Sequence, residues 1–188
     1  MSGVTGDLYV LAMFNCENVV GAENQQERLW RSGWIAGFVD GEGCFSCPIF
    51  RNRSTTLGWQ VQPEFSVVQS NRSRHALEEL VEAFGCGHVS DNRRHDNHRS
   101  DLGRYRVSRF SDLRDVIVPF FRRNQLRTAK AEDFEKFAAI IDLMQLGVHR
   151  TIEGIGRISS IAETMNRRKP SNVLRILRDH TPTISLFP

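Results

Sequence analysis

The sequence predicts an α+β fold: an α-β-β-α-β-β-α core with one four-stranded, antiparallel, saddle-like sheet and helices packed behind it. Three observations carry this. Residues 44–51 and 59–69 alternate apolar and polar side chains, as strands half-buried on one face do. A second such pair, 87–93 and 104–110, flanks a polar loop. Apolar stripes at helical spacing precede, separate and follow the two hairpins. An antiparallel sheet can leave one face polar while helices cover the other.

The chain has 188 residues, which suits one domain with a full core. Residues 1–24 form an N-terminal extension of unknown role, and 25–188 a single domain that includes C-terminal helices from about 152. In the extension the apolar run 8–14 lacks a preceding basic stretch and is too short to span a bilayer. A disordered tail, a docked strand and leader sequence from an upstream reading frame all remain open for it.

A first helix is predicted over 27–40. Phe45, Cys47 and Ile49 then share one strand face, and Ser, Thr and Gly make a turn over 52–58. In the next strand Val61, Pro63, Phe65 and Val67 oppose Gln60, Gln62, Glu64 and Ser66. Pro63 implies an edge or a bulge. A helix over 72–84 stops at Gly85. After the second hairpin, Ser111 is expected to cap a short helix to 121. A helix over 128–146 ends at Gly147, with Phe134, Phe137, Ala138, Ile141 and Met144 as its stripe. Helices over 155–166 and 171–179 complete the chain.

Net charge is only +3, but 22 of the 25 basic residues are Arg. Arg presents a bidentate fork to phosphates and guanine edges, which leans toward nucleic acid; GC-rich coding is the alternative source of the bias. Eight bases lie between Arg104 and Lys130 against two acids, a one-sided field on a nearly neutral chain. Four Cys in a chain this long make no disulfide framework. Cys44 and Cys47 have zinc-like spacing but no second pair, and an offset of three in a strand points them to opposite faces. A reduced intracellular compartment, bacterial cytoplasm or organelle, and a soluble protein without membrane association are expected.

The segment from Ile35 to Gly43 reads Ile-Ala-Gly-Phe-Val-Asp-Gly-Glu-Gly and occurs once. Gly33, Gly37 and Gly41 share one helical face, with Ala36 and Asp40 beside them. Glycine inside a helix costs roughly 1 kcal/mol relative to Ala, and close pairing with another helix gives a reason for it. With one copy of the stripe, the partner must be a second identical chain on a two-fold axis. Asp40 and Glu42 end the helix, where the dipole disfavours acids unless a cation offsets them. The plain alternative is a buried helix, a glycine turn and solvated acids.

This segment resembles the motif of LAGLIDADG homing endonucleases. The likeness continues through Phe65-Ser-Val-Val-Gln69, the run from Leu77 to Val89, Pro119-Phe-Phe and Thr128-x-Lys130, and is similar to the single-motif, homodimeric branch. It covers about 28–146, and Met165-Asn-Arg-Arg-Lys169 looks like the branch's C-terminal portion. The resemblance implies that Glu42 binds metal with the Gly41 carbonyl as second ligand. It implies that Asp40 supports the helix-pair interface at the catalytic centre, Gln69 orders water, and Lys130 sits near the scissile phosphate. Gly33, Ala36, Gly37 and Asp40 would form the dimer interface. Ser73 stands where some relatives carry Arg, with Arg72 or Arg74 as substitutes. The expected cofactor is Mg²⁺, with Mn²⁺ substituting and Ca²⁺ supporting binding without cleavage.

The expected partners are double-stranded DNA and a second copy of the chain, with intron RNA a further candidate. An exposed sheet can lie in the major groove, so Ser46, Gln60, Gln62, Ser66, His88, Ser90, Asn92, Arg104 and Arg106 are candidate base readers. Arg51 and Arg53 at one hairpin tip, and Arg93 and Arg94 at the other, would reach bases or phosphate. Arg167, Arg168 and Lys169 would hold phosphate and set register. The implied activity is a staggered double-strand cut with 3′ overhangs in a long pseudo-palindromic site, by a protein encoded within an intron. Two alternatives stand beside it. One is a non-cleaving binder on the same fold, an RNA maturase or a regulator. The other is a nuclease built on His88, His95 and His98.

Overall fold

The computed structural model describes the backbone of residues 6–92 and 101–166, and the side chains of 24–91 and 101–166. Arg93, Arg94, His95, His98, Arg167, Arg168, Lys169, the side chain of Asn92 and the helix expected over 171–179 lie outside the described residues.

Helix α1 (Gly6–Glu42) leads directly into β1 (Gly43–Ser46). It starts well before the expected 27, so residues 6–24 continue the helix. Strands β2 (Ile49–Arg51), β3 (Trp59–Val61) and β4 (Glu64–Ser70) follow. A 3₁₀ turn (Asn71–Ser73) opens α2 (Arg74–Phe84), which Gly85 ends in the left-handed region at φ 63°. Next come β5 (His88–Asn92) and β6 (Leu102–Val107). The sheet order is β1-β4-β6-β5, all antiparallel, with β2 and β3 paired as a separate ribbon.

The expected two long strands are thus divided into four. The register shows why. Ser46 pairs with Glu64 and Ile49 with Val61, three residues on along each strand, so one register runs through both ladders. Pro48 and Pro63 lie between, and neither has an N–H to give the ladder. Gln62 N–H still donates to Pro48 O at 3.0 Å. Hydrogen bonding is interrupted, but the alternation of faces is not.

The short helix expected up to 121 is a composite. Phe110–Asp112 (α3) passes into a π-helical stretch, Leu113–Ile117, and then α4 (Val118–Arg123). Pro119 has no N–H to offer the carbonyl one turn back, and the helix widens just before it. Ser111 is not its cap. The chain turns helical at Phe110, so Ser111 lies within the first turn and donates to the Asp112 carboxylate at 3.2 Å. Helix α5 (Lys130–Gln145) stops before Gly147, at φ 76°. Helix α6 (Ile152–Ala162) starts earlier than expected because Thr151 caps it, its side chain accepting from Gly154 N–H at 3.0 Å.

Behind the sheet, Phe45 is fully buried and ringed by Phe65, Phe121, Phe134 and Phe137 at centroid separations of 5.0–5.5 Å. The predicted stripe of α5 packs there too, joined by Ile140. Among the described residues no helix is long and apolar enough to cross a membrane. Phe45 joins β1, β4, α4 and α5, so Phe45→Ala should lower unfolding free energy by about 3–5 kcal/mol in urea titration.

Candidate active site

Along α1, Ile35 and Val39 are buried in the core, while Gly33 and Gly37 on the opposite side are exposed. A Cβ built at Gly33, Gly37 or Gly41 meets no atom within 4 Å. Among the described residues nothing therefore requires glycine there for space. Leu29 and Trp30 extend the same side and are 62% and 69% exposed. Beside the ridge, a groove of about 470 Å³ is lined by Ala36, Asp40, Asn124, Gln125 and Arg127 together with Gly33 and Gly37.

The two acids at the end of α1 differ in their surroundings. Asp40 reaches back to the loop before α5. Its carboxylate accepts the Arg127 N–H at 2.8 Å, the Thr128 N–H at 3.2 Å and the Thr128 hydroxyl at 2.6 Å. The Thr128 Oγ1 in turn accepts the Lys130 N–H at 3.2 Å. Both oxygens of Asp40 are engaged by its own chain, so its visible role is to anchor the start of α5. Burial pushes its pKa up. The Thr128 hydroxyl, the two backbone N–H groups and the Lys130 charge outweigh this and hold it below the usual carboxylate range.

Glu42 is exposed, and among the described residues no donor is bonded to its carboxylate. Lys130 brackets it: the ammonium donates to Gly41 O at 3.2 Å and also to Gly43 O. A cation on the last carbonyls of a helix offsets the negative end of its dipole. The structure thus brings Glu42, the Gly41 carbonyl and Lys130 together. Gln69 lies two residues past Val67, the partner of Gly43, and so extends along β4 past the start of β1. Its Oε1 accepts the Ser70 N–H at 2.8 Å, and no hydrogen bond joins it to Glu42 or Lys130 among the described residues. Near Ser73, Arg74 is held by Glu78 at 3.0 Å and Asp91 at 2.7 Å, whereas Arg72 is exposed.

The polar face of the sheet is less open than expected. Glu64 and Ser66 are buried, at 7% and 4% exposure. Glu64 sits between Arg104 and Arg106: Arg104 Nη2 donates to Oε1, and Arg106 Nε lies against Oε2 as an ion pair too bent to be a hydrogen bond. Arg104 Nη2 also lies 3.4 Å from Ser66 Oγ. Ser66 as a base reader is therefore corrected, because Arg104 covers it. Arg104 and Arg106 stay on that face but are oriented by an acid the sequence reading left unassigned. The shared parity of positions 64, 104 and 106 was the signal that could have found it. Ser46, Gln60 and Gln62 are half-buried, and His88, Ser90 and Arg53 are exposed. Arg51 is exposed, pairs with Trp59 on the ribbon's other face and lays its guanidinium over that ring at 5.2 Å. Cys44 and Cys47 fall on opposite faces, and no group of three His, Cys, Asp or Glu suited to a metal occurs among the described residues.

A model of the LAGLIDADG endonuclease family matches residues 35–141, more than half the chain. The chain belongs to this family. A Neurospora crassa protein described as "Probable intron-encoded endonuclease 2" is 33% identical over 134 residues, 71% of this chain and 28% of that protein. The chain thus spans only about a quarter to a third of the length of the first curated relatives it matches. The crystal structure of the homing endonuclease I-TnaI is similar with a TM-score of 0.71 and 39% identity, covering 79% of this chain and 96% of that one. The meganuclease I-SmaMI bound to uncleaveable DNA matches with a TM-score of 0.68 and 29% identity, over 74% of this chain and 45% of that one.

A carboxylate with a depressed folded pKa adds stability above its unfolded value, about 3.9, and loses that contribution as pH falls through the folded value. The stability gap between the wild type and Asp40→Asn should therefore be constant near neutral pH and close as acid is added below about pH 4. Denaturant titrations across that range measure it.

Proposed function

We propose that this chain is a site-specific, metal-dependent DNA endonuclease that works as a homodimer and cuts both strands of a long pseudo-palindromic site, leaving 3′ overhangs. The observation that carries the reading is the unbonded Glu42 carboxylate at the end of an open glycine ridge, bracketed by Lys130. Family membership and the DNA-bound I-SmaMI structure support it.

The donor set suits a hard divalent cation such as Mg²⁺. Among the described residues the Glu42 carboxylate has no competing donor, and the Gly41 carbonyl oxygen, which accepts from the Lys130 ammonium, has a second lone pair; both are oxygen ligands. The rest of the shell would come from water, DNA phosphate and the second protomer. When bound, such an ion polarises phosphate and acidifies water. Asp40 keeps its own role, holding the start of α5 so that Lys130 stands beside the Gly41 carbonyl. Lys130 would there face the phosphate whose charge grows during cleavage. Gln69, with its oxygen taken by the Ser70 N–H, keeps its amide donor for water. The Arg104–Glu64–Arg106 cluster gives the sheet face a positive surface of set orientation.

These 188 residues carry one ridge and one Glu42, and a second copy would supply the other of each. The comparison lengths agree: the chain covers nearly all of I-TnaI but less than half of I-SmaMI. Leu29 and Trp30 would lose their exposed apolar surface in the same contact.

Glu42→Gln should keep tight, sequence-selective binding in gel shift and lose cutting in Mg²⁺. Full cutting by that variant would exclude this metal site. In Gly37→Leu the new Cβ meets no atom of the described residues within 4 Å, and the helix gains up to about 1 kcal/mol of propensity. The variant should fold at least as stably as wild type yet sediment as a monomer; a dimer of undiminished affinity would remove the ridge from the interface.

A further inference from the structure

Residues 50–60, at the end of the β2–β3 ribbon, fix the hydrogen-bonding polarity of one exposed amide. The Ser54 N–H donates to Asn52 Oδ1 at 3.0 Å, and the Ser54 hydroxyl donates to the same oxygen at 2.7 Å. A backbone N–H can only donate, so the Asn52 oxygen is identified and its Nδ2 must face the other way. There it donates to Gln60 Oε1 at 2.6 Å. One lone pair of Gln60 Oε1 is thus taken, and its Nε2 donates to nothing among the described residues. Phe50 is the cross-strand partner of Gln60, so the two side chains stand on one face. That ring is 40% exposed. The unbroken register places Phe50, Asn52 and Gln60 on the same face as Ser46, Glu64 and Ser66.

Glutamine ordinarily reads adenine with both ends of its amide, accepting from N6 and donating to N7. The Asn52 bond fixes which end of the Gln60 amide is the oxygen and takes one of its two lone pairs, which leaves the amide N–H as its unshared group toward a base. That group can donate to thymine O4, guanine O6 or a purine N7. The exposed ring beside it decides among these. Phenylalanine contacts the thymine methyl, and thymine alone sets that methyl next to a major-groove carbonyl oxygen. We propose that Phe50 and Gln60 together read one thymine in each half-site, Phe50 by its methyl and Gln60 by its O4, with Asn52 as the positioning residue that sets the amide's polarity. The assignment rests on the DNA-endonuclease reading above.

The test is a site selection followed by a methyl deletion. The wild-type protein selects its site from a randomised duplex pool in calcium buffer. Each thymine of that site is then replaced singly by deoxyuridine, which removes only the methyl. Wild type should bind roughly fourfold more weakly at one thymine per half-site, the effect of one buried methyl. Phe50→Ala should bind thymine and deoxyuridine equally there and keep its preferences elsewhere. Asn52→Ala frees the Gln60 oxygen and should broaden selection at that position to include adenine. If a consensus emerges but Phe50→Ala keeps every deoxyuridine penalty, or Asn52→Ala leaves the base preference unchanged, this assignment is wrong and the endonuclease reading survives. If wild type selects no consensus, both fall.

Discussion

A long helix that ends in two acids must be stabilised at that end, because its terminal carbonyls and its own carboxylates carry the same sign. In this chain the start of α5 supplies the counterweight. The Lys130 ammonium rests on the carbonyls of Gly41 and Gly43, while Asp40 gathers the N–H groups of residues 127 and 128. The two contacts are reciprocal: a cation from the second helix caps the first, and an anion from the first ties down the loop that leads into the second. Everything that positions Glu42 follows from this clasp. It joins segments almost ninety residues apart, across the sheet that lies between them in the chain.

Much of this was legible in the amino-acid order. The alternation at 59–69 identified the buried side through Phe65 and Val67, and the α5 stripe from Phe134 to Met144 lies where its spacing put it. The glycine ridge and its acids were readable because their pattern is local. What was missed is non-local or depends on the backbone. The strand breaks come from Pro48 and Pro63 meeting across one ladder, which neither strand announces by itself. Thr128 looked like part of a helix start, yet its hydroxyl also bonds Asp40, far back in the chain. Arg51 was assigned by hairpin position and Ser66 by the alternation of its strand. The face Arg51 takes, and the Arg104 side chain over Ser66, are set by register and packing.

Glu64 shows how the sheet handles charge. A carboxylate at 7% exposure would be costly without partners, and two guanidinium groups meet it. In return it fixes two long, flexible side chains. On the DNA-binding reading, the face offered to the polyanion is therefore already ordered rather than a set of independent waving charges, which lowers the entropy lost on contact. The Ser54–Asn52–Gln60 chain does the same for an uncharged group farther along the ribbon.

The uncovered ridge on α1 has a consequence for dosage. On the two-subunit reading, a protomer alone presents Trp30, Leu29 and bare glycines to solvent and owns half of a cutting centre. The population of paired molecules then rises with the square of subunit abundance while subunits are scarce. A cell making few copies would be exposed to little double-strand scission, and a modest rise in expression would increase it disproportionately. The same bare surface that permits assembly would thereby act as a threshold on genome damage.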